Sequence, residues 1–272
     1  MKEQLLIIDP QNDFCHPLGN LYVNGADEDS KRLANFILKR GDKIDKIHVT
    51  LDSHNEVDIA HPIFWVGEGN KNPDPFTIIT YDDYKKGTWR PSNPACDNVV
   101  DNYLKQLEEN GRYPLCVWPP HCIIGKTEIK NGTEYCGHAV VEPVASAISE
   151  WGKKRFKIPS FVTKGSNPFT EHYSAVKADV PDPSDPSTSM NTNFIYTLEV
   201  ADRIWITGQA LSHCVANTIR DIIEYFGEEN AKKFVLLEDT TSNVTGFEKL
   251  GNDFVQYLKD LGVEVIKTTD VI

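Results

Sequence analysis

In "WITGQALSHCVANTIRDI" (205–222), strand-forming residues run into Gly208 and then a polar turn carrying Cys214. Val215, Ile219, Ile222, Ile223 and Phe226 follow at helical spacing, so Cys214 is expected where a strand ends and a helix begins. Amide N–H groups at a helix N-terminus favour an anion, which lowers a thiol's pKa and raises its thiolate fraction. The plain alternative is a packed, inert cysteine. Position alone leaves both readings open.

Asp9 follows the apolar run "LLII" and precedes Pro10. A carboxylate there is partly desolvated, which moves its pKa toward the range of a general base. An Asp capping a turn is the competing reading. Lys164 closes "SFVTK" and could hold a carboxylate or steady a developing negative charge, although a strand-end lysine reaching into solvent is more common. In "TLDSHNEVDIAH", Asp52 and His54 stand two residues apart, so an extended backbone points them the same way. Mixed carboxylate and imidazole donors suit zinc, iron or manganese. His121 of "WPPHC" would complete a three-residue set with open positions for water or substrate. His61 lies seven residues beyond His54 and stays outside that set.

The elements that must position these residues alternate along the chain. Strands are expected at 5–9, 46–52, 160–164, 203–208, 233–239 and 263–268. Between them lie helical patterns: "KRLANFILKR", "VVDNYLKQLEENG" closed by Gly111, "VVEPVASAISEWG" closed by Gly152, "CVANTIRDIIEYFG" and "GFEKLGNDFVQYLKDLG". Near-continuous apolar strands separated by helices describe a parallel sheet covered on both faces. The expectation is an α/β, three-layer α/β/α fold around a central, mostly parallel six-stranded sheet. Ligands bind beyond the carboxyl ends of such strands, where Asp9, Asp52, Lys164 and the Cys214 turn all fall. No internal repeat or linker divides residues 1–272, which are read as a single domain. Turn-rich stretches at about 62–117 and 123–157 read as insertions over the strand ends. The segment "DVPDPSDPSTSM" (179–190) reads as a surface loop, and "GKKRFK" (152–157) as a solvated helix end.

Composition bounds the partners. Of 272 residues, 40% are hydrophobic and 25% charged, with a formal net charge of −12. That balance argues against nucleic acid, which needs clustered Lys and Arg. No run of eighteen apolar residues occurs, so no membrane partner is expected. The opening "MKEQLLIIDPQ" is too short in apolar residues for a signal-peptide core, which makes the cytoplasm the default. Cys15, Cys96, Cys116, Cys122, Cys136 and Cys214 are scattered without CxxC spacing, as reduced thiols are.

In order and context these segments resemble the isochorismatase-like cysteine hydrolases, and within them the nicotinamidases (pyrazinamidases). "LLIIDPQNDFC" resembles the family's first strand with its catalytic aspartate, here Asp9. "VTLDSH" and "WPPHC" are similar to the metal segments, here Asp52, His54 and His121. "VTKGSNPFTEHYSAV" resembles the lysine segment, with Lys164, and "ITGQALSHCVANT" the nucleophile turn, with Cys214.

The resemblance implies the isochorismatase-like hydrolase fold, a divalent metal (zinc, with iron or manganese as alternatives) and a cis peptide at Gln209–Ala210. It also implies an oxyanion site from the Ala210 and Cys214 N–H groups, with Phe14 and Trp118 against the substrate ring. The implied reaction is hydrolysis of nicotinamide to nicotinate and ammonia through a thioester. A related amidohydrolase acting on an N-carbamoyl, ureido or other small amide is the alternative, and a non-catalytic binding protein is a third reading. Leu211 and Ser212 depart from the small or acidic residues the family pattern leads one to expect. Self-association is left open.

Overall fold

A computed structural model describes residues 1–271. Six strands form one sheet: β1 (Glu3–Ile8), β2 (Ile44–Asp52), β3 (Ser160–Lys164), β4 (Arg203–Gly208), β5 (Phe234–Leu237) and β6 (Glu264–Ile266). Their order is β6-β5-β4-β1-β2-β3, and every neighbouring pair is parallel. Leu5, Leu6, Ile7 and Ile8 of β1 are wholly buried, because helices cover both faces of this central strand. Each such side chain contributes roughly 1.5–3 kcal/mol relative to exposure. Only the edge strand β3 alternates between exposed and half-buried residues before ending on buried Lys164.

The longer helices are α1 (Ala26–Arg40), α2 (Asp97–Glu109), α3 (Glu142–Arg155), α4 (Thr192–Glu199), α5 (Ala216–Phe226) and α6 (Glu248–Asp260). On one face α1 packs against α3, with Phe36 edge-on to Trp205 and Arg40 paired to Glu3 at 2.9 Å. On the other, Arg220 of α5 lies over Tyr257 of α6, and Tyr196 of α4 meets Tyr225 of α5.

Three sequence expectations change. Helix α3 runs through Gly152 to Arg155 and is closed by Phe156 in the left-handed region (φ 52°), its N–H bonded to the Gly152 carbonyl. Three basic residues in the last turn favour this extension, since they face the negative end of the helix dipole. Helix α4 lies in a stretch read without an element, and Asn191 caps it by accepting from the Phe194 N–H. Segment 179–190 is also more than a surface loop, because Asp179, Val180 and Thr188 are buried.

The insertion between β2 and β3 carries α2, α3 and three small antiparallel pairs. It also folds back onto the sheet's carboxyl end. His54 bridges to Ile123, and Gln11 to Val140. Buried Asp13 accepts hydrogen bonds from the Cys122 N–H (2.7 Å) and the Tyr135 hydroxyl (3.0 Å).

Candidate active site

Strand register gathers the reactive residues. From β1 the chain moves one way to β2 and β3, then crosses to β4 on the other side of β1, so the order reverses between β1 and β4. Such reversals open a crevice at the carboxyl edge. Ile8 pairs with Gly208, which puts Asp9 and the turn after β4 side by side, and Asp52 pairs with Lys164. Gly208 (φ 111°) is required here, because a Cβ would lie 2.5 Å from the Ile8 nitrogen. Gly165 likewise keeps clear of Asp52, which a Cβ would approach to 2.7 Å. Asp9 itself holds a left-handed φ of 43°, a conformation found among strained residues at functional sites.

At the centre stands Lys164, whose Nζ lies 3.0 Å from Asp9 Oδ2, 3.0 Å from Asp52 Oδ1 and 3.6 Å from Cys214 Sγ. All four side chains are buried. Burial works against the Lys164 ammonium, but the carboxylates of Asp52 and Asp9 outweigh it and hold its pKa well above the usual lysine range. Burial raises Asp9, partly offset by Lys164, and the Thr50 hydroxyl donates to its other oxygen at 2.5 Å.

Cys214 sits in the helical turn 211–215 that leads into α5. Here the helix-terminus expectation is corrected. Burial holds the thiol well above its ordinary value, Lys164 opposes this, and Asp9 adds to the rise. The resting group is therefore a thiol beside a carboxylate, and ionising it requires moving its proton to a neighbour. The Gln209–Ala210 peptide is cis. Among the described residues no acceptor takes the Ala210 N–H, so it can donate to a developing oxyanion.

Asp52, His54 and His121 each present a donor atom within 4.8 Å of the other two. His121 Nδ1 lies 2.8 Å from the Pro119 carbonyl, which fixes that nitrogen as the donor and turns Nε2 toward Asp52 at 3.5 Å. His54 spans two carboxylates, Nδ1 to Asp58 at 2.9 Å and Nε2 to Asp52 at 3.1 Å. Burial lowers the His54 pKa, but Asp52 and Asp58 outweigh it and hold the ring protonated well above its usual range. Burial likewise raises Asp52, which His54 and Lys164 then pull well below the carboxylate range. This acceptor-rich cluster needs positive charge, and a divalent cation fits it by displacing the proton on His54 Nε2. Two buried atoms nearby also lack hydrogen-bond partners: His61 Nε2, on a ring 5.3 Å from that of His54, and Glu171 Oε2. Burial holds His61 down to about 4 and raises Glu171 to about 7.

A narrow cavity joins the two clusters. Asp52, His121, Glu171, Ala210 and Cys214 supply its polar wall, and Phe14, Trp118, Tyr173, His213, Leu21 and Val244 its ring-shaped apolar wall. Phe14 is edge-on to His121, and Trp118 Nε1 donates to the Tyr173 hydroxyl at 2.9 Å. His213 is enclosed by Tyr113, Trp118, Tyr173 and Phe247, and burial depresses it to about 3, so it is neutral.

Asp9, Phe14, Asp52, His54, Trp118, His121, Lys164, Ala210 and Cys214 are thus brought together here. Sequence reasoning missed Thr50, Asp58, Glu171, Tyr173 and His213. Thr50 was within reach, being two residues before Asp52 on the same strand face. Asp58 and Glu171 carry no local signal, because long-range folding aims their oxygens.

No family model matches the chain. The nicotinamidase of Saccharomyces cerevisiae is 24% identical over 264 residues, spanning 96% of this chain and 98% of that protein. Among solved structures, the yeast nicotinamidase bound to the inhibitor nicotinaldehyde aligns with TM-score 0.65 and 21% identity, over 97% of this chain and 99% of that one. An Acinetobacter baumanii nicotinamidase/pyrazinamidase aligns with TM-score 0.64 and 20% identity, over 100% and 98%. A Pyrococcus horikoshii pyrazinamidase in complex with zinc aligns with TM-score 0.57 and 18% identity, over 98% and 99%. The architecture is the three-layer α/β/α fold of these solved nicotinamidases and pyrazinamidases. Within that class the chain resembles the nicotinamidases over nearly its whole length.

Proposed function

We propose that this protein is a cysteine amidohydrolase, and specifically one that hydrolyses nicotinamide to nicotinate and ammonia. One observation carries the reading: Lys164 Nζ lies within 3.0 Å of Asp9 and Asp52 and 3.6 Å of Cys214, beside an aromatic-walled cavity. A relative over the full length named as a nicotinamidase supports the choice of amide.

In this reading Asp9 takes the Cys214 proton as the sulfur attacks the carboxamide carbon, forming a C–S bond. The carbonyl oxygen becomes an oxyanion held by the Ala210 and Cys214 N–H groups. Collapse breaks the C–N bond, and Asp9 returns its proton to the departing nitrogen, which leaves as ammonia. Asp9 then deprotonates a water that attacks the thioester. Carboxylate leaves and the Cys214 thiol is restored. Lys164 keeps Asp9 oriented and balances the negative charge that builds up beside it. Phe14 and Trp118 sandwich the ring, and the closed apolar wall excludes bulk water. Asp52, His54 and His121 would hold a divalent cation, zinc in this reading with iron or manganese as alternatives, which when bound supplies an anchor for the substrate's ring nitrogen.

The test is ammonia release from nicotinamide. Cys214→Ala is expected to lower turnover by about 10³-fold or more, and chelation to suppress it until metal is restored. Ammonia from ureido substrates alone, indifferent to chelator, would instead point to an N-carbamoyl amidohydrolase. A folded protein that releases ammonia from no amide would be a binding protein.

A further inference from the structure

The segment "GKKRFK" takes no part in this chemistry, yet its geometry is unlike that of a simple solvated helix end. Lys153, Lys154, Arg155 and Lys157 place four cations within five residues of a chain whose net charge is −12. The helix dipole accounts for the cations. It does not account for Phe156, which holds the left-handed closing position where glycine is favoured and points its ring outward, 98% exposed. Ile158 is 81% exposed and Phe161 53%. Beside them runs an apolar groove lined by Val140, Ala145, Ile148, Pro159 and Phe161. Three exposed apolar side chains thus stand beside exposed Lys153 and Lys154.

Nearby acids offset only part of this charge. Asp42 pairs with Lys154 at 3.1 Å and Asp45 with Lys157 at 3.2 Å, while Glu150 lies one turn back along α3 and exposed Lys39 and Lys43 add to the positive side. The cluster sits where chain enters β2 and β3, at the amino ends of the strands. Nine-residue β2 separates it from the site at the carboxyl ends, roughly 25–30 Å away at ~3.3 Å per residue. A surface docked here leaves the cavity facing water.

We infer that this corner docks on an anionic phospholipid bilayer, with Phe156 and Ile158 entering the headgroup boundary and the exposed Lys153 and Lys154 meeting lipid phosphates. Exposed apolar tips beside exposed lysines are the composition of an interfacial anchor. Two-fold pairing of two copies through this patch would instead set like charges against each other. The absence of a spanning segment, which led to the expectation of no membrane partner, does not bear on surface docking.

The test is co-sedimentation of the full chain with vesicles of phosphatidylcholine alone or containing about a third phosphatidylserine. The protein is expected to sediment only with the anionic vesicles, and less as salt rises from about 0.1 M to about 1 M. The double variant Lys153→Glu/Lys154→Glu is expected to lower partitioning by about tenfold or more. Phe156→Gly, which suits the left-handed backbone, is expected to weaken binding while leaving circular dichroism and ammonia release unchanged. Three results would overturn the inference: no sedimentation with anionic vesicles at low salt, binding indifferent to both variants, or a dimer by light scattering that Phe156→Gly dissolves.

Discussion

Two clusters of paired charge lie in this molecule, one fully buried and one whose cations are half-buried, and their surroundings differ. One is Asp9, Asp52 and Lys164 at the carboxyl edge of the sheet. The other joins Arg112 to Asp221 at 3.0 Å and to Asp179 at 3.8 Å, with Lys177 3.3 Å from Asp221. Each contains a carboxyl group that burial pushes upward, Asp9 in the first and Asp179, to about 7, in the second. Each leaves buried carboxylate oxygens outside hydrogen-bond geometry. The first cluster alone holds a thiol and meets a cavity walled by aromatic rings. The second borders a wide cleft lined by Arg112, Lys177, Arg220, Glu224 and Asp253, whose opposite charges offset one another. A perturbed carboxyl therefore reports burial, and a nucleophile with a ligand cavity beside it is what makes a site.

This contrast can be broken by experiment. The largest effect is expected from Lys164→Met, which leaves two carboxylates facing each other without a cation. Stability should fall by about 3–5 kcal/mol in denaturant titrations, and ammonia release by about 10²-fold or more. A variant as active as the parent would dissolve the distinction between the clusters. Arg112→Met should cost less, roughly 1–3 kcal/mol, since solvent reaches this side chain and screens its pairs. Its turnover should stay within about twofold of the parent. A large loss of turnover in a folded Arg112 variant would make the second cluster functional as well.

The last effect concerns pH. Burial raises Asp179 to about 7, against the opposing pull of Arg112, and Asp221 adds to the rise. The folded state therefore prefers the protonated acid. Its contribution is fully present below the ordinary value of 3.8 and is lost as pH climbs through about 7. Parent minus Asp179→Asn stability should thus fall across that window by at most about 1.4 kcal/mol per pH unit. A flat difference would show that Arg112 keeps Asp179 ionised throughout.

How much of this was legible differs residue by residue. Strand β4 and the Cys214 turn could be read locally, because a buried strand, a glycine and a helical repeat announce themselves within twenty residues. The same holds for Asp9 after β1 and Lys164 at the end of β3. The direction of the Cys214 pKa shift was misread, since a helix terminus is a local feature whereas desolvation depends on every element packed around the sulfur. Glu171 lies seven residues beyond Lys164, yet only its burial beside the His54 cluster gives its orphaned oxygen meaning.

From the chain alone came the alternation of apolar strands and helices, and with it a layered sheet whose carboxyl edge collects the reactive residues. Those patterns are local, repeating every two or 3.6 residues, so they survive without knowledge of the fold. The tertiary structure alone decided that Lys164 faces Asp9, that His121 is brought back from an insertion to Asp52, and which of two charge clusters meets a cavity. Such decisions depend on strand order, register and burial summed over distant segments, and no window of sequence contains them.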